Sequence, residues 1–205
     1  MTEARRERAI AAAAEPPKAF GALHYEHLVQ INDPSDPRVK ALQRDQLWRG
    51  LVMRAEFPAS FVPWLDECSI QRDGGDLLRT LRYGQLIVHD RVRFDGEDAV
   101  DYEVLAEPDS IDALQAPHMD VALHSLRSQV LRAQDAQEQP TFRLSMRIEQ
   151  PSPDALFVRF TYEAHSADHR DDGPHVGAVK EAYRLADIDT VFRIRQLADS
   201  GLLDV

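Results

Sequence analysis

One stretch near the end of the chain limits what the rest can fold into: HVGAVKEAYRLADIDTVFRIRQLADSG, residues 175–201. Pro174 stands where a first helical residue tolerates proline, and Gly201 stands where a helix C-cap favours glycine. Between them there is no proline and only one early glycine, Gly177. Val176, Val179, Tyr183, Ala186, Thr190, Ile194 and Leu197 recur at steps of three and four, which predicts one continuous helical face. At 1.5 Å per residue such a helix is roughly 40 Å long. It needs a broad surface to lie on, and the preceding residues must supply it.

That surface has the pattern of a sheet. Leu23, Tyr25, His27, Val29 and Ile31 alternate along ALHYEHLVQI, so they share one face of a strand. The turn NDPSDP follows. Helical spacing then places Leu42, Leu47, Trp48, Leu51, Val52 and Ala55 on one stripe, and a short second helical piece between Pro58 and Pro63 holds Phe61, Val62 and Trp64. Period two returns from Cys68 onward. Leu77, Arg79, Leu81 and Tyr83 share a face, as do Leu86, Val88, Asp90, Val92 and Phe94, then Val100, Tyr102 and Val104. Two further strands carry Phe142, Leu144, Met146 and Ile148, then Leu156, Val158, Phe160 and Tyr162. Short turns separate these runs, which predicts an antiparallel meander.

Two segments do not fit the meander. Residues 1–18 form an alanine-rich N-terminal extension closed by Pro16 and Pro17. Residues 108–140 lie between prolines, and Met119, Leu123, Leu126, Val130 and Ala133 fall at helical spacing there. The expectation is a single α+β domain over 19–205 with an inserted helix near 110–138.

Composition narrows the function. The net charge of −11 argues against a nucleic-acid backbone or an anionic membrane surface as partner. No apolar run reaches the length of a membrane span, which argues against stable membrane insertion. A single cysteine, Cys68, excludes an intrachain disulfide and fits a reducing, cytoplasmic setting. Nucleophile-elbow, P-loop and dinucleotide signatures are absent, so no cofactor is expected.

At the level of blocks, YEHLVQINDP, LWRGLVMRAEFPASFVPWLDEC, HDRVRFDGE, FVRFTYE and KEAYRLADIDTVFRIRQLADSG resemble one family. It is the AtaL-like branch of the SRPBCC superfamily, the START-like helix-grip proteins. The resemblance covers roughly residues 23–107 and 141–201, by order of blocks. It implies a curved antiparallel sheet of seven strands around a long C-terminal helix. It also implies a cavity for a small hydrophobic molecule, such as a lipid, sterol or polyketide. A few superfamily members act as cyclases or in related polyketide chemistry. The extension and the insertion are extra to the pattern.

The polar residues on apolar faces are the candidates for a site. His27, Asp90, Tyr183 and Asp187 are expected to meet inside the cavity and orient a polar group of the ligand, because buried charge and imidazole need partners. Tyr102 and Tyr162 join them as lining residues, with Met146, Phe160, Trp48 and Trp64 as further aromatic or soft lining. The competing account is a hydrogen-bond cluster that fixes the helix on the sheet. No metal site is expected. His24 and His27 are three apart on a strand and point to opposite faces, and the loop of His165, Asp168, His169, Asp171, Asp172 and His175 has no recognised ligand spacing. Cys68 lacks any local nucleophile signature.

Leu185, Ile188 and Phe192 lie opposite the main stripe of the terminal helix. The inserted helix is expected to cover them, with a homodimer as the runner-up. The leading functional expectation is a module that binds a small hydrophobic molecule and is not an enzyme. The alternative is a cyclase, dehydratase or hydrolase using His27 with Asp90 or Asp187 as proton carriers. A third is an interaction protein whose cavity is filled by its own side chains.

Overall fold

A computed structural model describes residues 23–35, 40–105, 142–164 and 174–204. The extension over 1–18, the inserted helix near 110–138 and the loop over 165–173 lie outside the described residues.

The strands are β1 (Leu23–Gln30), β2 (Glu67–Asp73), β3 (Asp76–Tyr83), β4 (Leu86–Asp95), β5 (Ala99–Leu105), β6 (Phe142–Ser152) and β7 (Ala155–Ala164). Helix α1 runs over Arg44–Glu56 and helix α2 over Pro174–Asp199. All seven strands form one antiparallel sheet in the order β1-β7-β6-β5-β4-β3-β2. From β2 to β7 each strand pairs with the next in sequence, as the short turns predict. β1 is the exception, because it crosses to the far edge and pairs with β7.

Burial follows the alternation. β7 reads alternately half-buried and buried along its length, with Leu156, Val158, Phe160 and Tyr162 facing the core. Leu77, Arg79 and Leu81 of β3 and Val88, Asp90 and Val92 of β4 do the same. The inward faces, α1 and α2 enclose one core. On the outer face, Glu103 is buried and forms ion pairs with Arg93 at 2.9 Å and with Arg143 at 2.7 Å.

Pro58–Ser60 forms a single 3₁₀ turn after α1. Trp64, expected as lining, points outward and is 47% exposed. Helix α2 ends as its terminal glycine predicts. Gly201 takes φ 74°, its N–H donates to the Ala198 carbonyl, and the Leu202 N–H donates to the Leu197 carbonyl. This pair of bonds closes a Schellman motif. The buried face of α2 is Tyr183, Asp187, Thr190, Val191, Ile194, Leu197 and Ala198, whereas Ala186 faces solvent. The helix is therefore rotated slightly from the stripe that apolar spacing alone selects.

Helix α1 packs closely against α2. Gly50 lies so close to Ile194 that an added Cβ would meet its Cγ2 at 2.6 Å. The C-terminal turn is held too: Arg49 donates to the Leu203 carbonyl, and Gln46 Nε2 donates to Asp204 Oδ1 at 2.6 Å.

Candidate functional site

The register of the β1–β7 pair builds the first group of residues. His27 lies opposite Phe160 and Tyr25 opposite Tyr162, so four rings face the core from two adjacent strands. His27 stacks on Phe160 at 5.4 Å and on Tyr25 at 5.1 Å between ring centroids. Helix α2 lays Tyr183 on Tyr162, nearly parallel at 4.2 Å. Phe142 of β6 closes against both tyrosines.

One helical turn on from Tyr183, Asp187 enters this aromatic enclosure and is 1% exposed. The Tyr162 hydroxyl reaches Asp187 Oδ1 at 2.7 Å and Oδ2 at 2.8 Å. His27 Nε2 lies 3.2 Å from Asp187 Oδ2. The distance suits a hydrogen bond, but the approach is misaligned, so the contact is electrostatic in character. Neither His27 ring nitrogen, both buried, has an aligned hydrogen-bond partner.

Burial raises the Asp187 pKa, and the neighbouring His27 and the Tyr162 hydrogen bonds only partly oppose it. Burial also pushes the Tyr162 hydroxyl well above its ordinary range, with the Asp187 charge adding to the effect. Tyr162 thus keeps its proton and acts as a donor. The carboxyl and imidazole together form a pair between which a proton can be placed.

A second group lies further along the sheet. Arg79 and Asp90 are direct cross-strand partners on β3 and β4. Arg79 Nε donates to Asp90 Oδ1 at 2.8 Å and Nη2 donates to Oδ2 at 2.5 Å, a bidentate pair that is almost wholly buried. Arg79 Nη1 donates to the Ala55 carbonyl at 2.9 Å, which ties the end of α1 to the sheet. Tyr102 of β5 lies under both Arg79 and Arg54, each guanidinium 5.0 Å from the ring centroid.

The sequence candidates therefore fall into two places. His27, Tyr162, Tyr183 and Asp187 share the first group, and Asp90 and Tyr102 belong to the second. Sequence reasoning did not single out Tyr25, Arg54 or Arg79. Arg79 did carry a signal, since it alternates with Leu77 and Leu81 on a buried face. Arg54 carried none, because it sits just off the apolar stripe of α1.

Among the described residues no group of three or more histidine, cysteine, aspartate or glutamate side chains is placed to hold a metal ion. Nor is any helix among them long and apolar enough to cross a membrane. Cys68 is exposed on β2.

Comparison with known proteins fits this architecture. The pattern of the AtaL family, described as "Acetylaranotin biosynthesis cluster protein L", matches residues 29–201. The chain belongs to the AtaL family. No curated protein matches it significantly. Among solved structures, this AtaL-family chain is similar to the di-domain ARO/CYC StfQ from the steffimycin biosynthetic pathway, with a TM-score of 0.54 and 9% identity. That match covers 98% of this chain and 62% of the other. The structure of Ara h 8.0201 gives a TM-score of 0.51 at 11% identity, covering 88% and 99%. ZhuI aromatase/cyclase from Streptomyces sp. R1128 gives 0.49 at 14%, covering 89% and 96%. At these identities the likeness concerns the fold, a curved sheet around a C-terminal helix.

Proposed function

We propose that the protein binds a small, mostly apolar molecule between the sheet and α2, with a polar group of that molecule held at His27, Asp187 and Tyr162. The observation that carries this reading is His27. A buried imidazole with neither nitrogen in an aligned hydrogen bond costs free energy that a folded core ordinarily avoids. A ligand hydroxyl or carbonyl at that nitrogen would offset it. Tyr25, Phe160, Tyr183 and Phe142 supply apolar walls around the same point. Membership of the AtaL family supports the reading, because its description places the named member in a biosynthetic cluster. In this account Tyr102 and Asp90 serve the far end of the same space.

Native mass spectrometry of the purified protein tests it, followed by His27→Leu and Asp187→Asn. Loss of the bound species with unchanged melting supports the site. Retention of the species in both variants, together with lower melting, would sink it and leave a structural cluster. An apo protein with a closed interior would sink it as well.

A second reading rests on the Asp187–His27 contact of 3.2 Å. A buried carboxyl beside an imidazole has the parts of a general acid–base pair, as cyclase, dehydratase or hydrolase chemistry requires. Chemical alteration of the bound molecule on incubation, abolished by Asp187→Asn, would favour the enzyme over the binder.

A further inference from the structure

Among the described residues, Arg54 is a part-buried cation that forms no ion pair. It extends from the last turn of α1, and its polar contact is a long one, Nε to Thr190 Oγ1 at 3.4 Å. Among the described residues no carboxylate comes within ion-pair distance of it. The two nearest interior carboxylates are engaged elsewhere. Asp90 receives both of its hydrogen bonds from Arg79, and Asp187 faces Tyr162 and His27. Two guanidiniums therefore flank the Tyr102 ring, and among the described residues only Arg79 has a carboxylate partner.

The Tyr102 hydroxyl completes the picture. It is buried and has no aligned hydrogen-bond partner. Arginine only donates, whereas a phenolic hydroxyl can donate as well as accept; a negatively charged oxygen beside the two would accept a hydrogen bond from each. An uncompensated interior cation is costly, so its natural complement is an anion brought in from outside. The protein surface cannot supply that preference, since the chain as a whole carries −11.

We propose that Arg54 and the Tyr102 hydroxyl form an anion-recognition site, and that the bound molecule carries an acidic oxygen, a carboxylate or an ionised phenol or enol. This deepens the ligand-binding reading above and rests on it. The bound molecule is then amphipathic: its acidic oxygen lies at Arg54, and its neutral polar group lies towards His27. Arg79 takes no direct part, because Asp90 already neutralises it.

A matched pair of aromatic probes tests this, 2-naphthoate and 2-naphthamide, titrated calorimetrically into the full chain at neutral pH. The two differ in charge but hardly in shape. The expected result is tighter binding of naphthoate, by about ten-fold or more, as suits a charge-assisted hydrogen bond in a shielded site. Arg54→Met should abolish that preference, lowering naphthoate affinity far more than naphthamide affinity, and it orphans no carboxylate. Arg54→Lys should restore part of the preference. Tyr102→Phe should narrow it, and this variant keeps the test open if Arg54→Met fails to fold. Equal affinity of the wild type for both probes would overturn anion recognition and leave the cavity reading intact. A preference that survives Arg54→Met would overturn it too. Binding of neither probe would remove both readings together.

Discussion

Asp90 and Asp187 are both buried carboxylates, yet their surroundings give them opposite consequences. Asp90 neutralises Arg79 through two hydrogen bonds. Asp90→Asn leaves a buried guanidinium without its counterion, and urea denaturation should show a loss of about 3–5 kcal/mol. Asp187 has no arginine partner, and burial raises its pKa above the ordinary 3.8. The folded protein therefore holds that proton more tightly than the unfolded chain. Its stabilising contribution is present in acid and is lost as pH rises through the folded pKa. In a His27→Gln background, which removes the neighbouring imidazole, the carboxyl is isolated. There, stability relative to the same chain with Asp187→Asn should fall as pH rises from strong acid through and beyond the ordinary carboxylate range. A flat difference across that range would contradict the assignment. Both aspartates were legible in the sequence as polar residues on apolar faces, and His27 was expected beside Asp187. The Arg79 partner of Asp90 was not legible. Register across a sheet pairs residues that the sequence keeps apart, and an arginine in a strand or helix reads as solvent-facing until its cross-strand neighbour is known.

The elements were read more fully than the contacts between them. Alternation marks β3, β4, β6 and β7 because each has one buried face, whereas β2 is exposed along nearly its whole length. The proline and glycine at the ends of α2 mark that helix. The seat of α2 was less legible, since Ala186 faces solvent while Asp187 is buried. Hydropathy favours the reverse, and it loses because Tyr162 and His27 compensate the carboxylate. The crossing of α1 and α2 sets the helix position instead. Gly50→Ala should cost about 1–3 kcal/mol in thermal or urea unfolding, because the added methyl meets the branched carbon of Ile194. Combined with Ile194→Val the cost should be less than additive, since the two changes share one gap.

For the molecule as a whole, the outer side of α2 stands out. Leu185, Ile188 and Phe192 are 51%, 38% and 60% exposed. Replacing Leu185 and Phe192 together by serine should lower binding of a hydrophobic dye and change stability by less than about 0.5 kcal/mol per site, as expected for surface positions. A large loss of stability would mean that this side is packed in solution. The inserted helix, expected as a cover, lies outside the described residues.

The pairing of β1 with β7 has a consequence in time. Leu23 lies opposite Ala164, so the sheet cannot close until nearly the whole chain is present. His27 comes from that first described strand, and Asp187 comes from the last helix. A chain emerging from the ribosome can zip β2 to β5 through local hairpins, but its first strand must wait exposed at one side. Pairings so distant in sequence are slow to form. A chain cut short before α2 therefore has the imidazole but lacks the carboxylate that faces it.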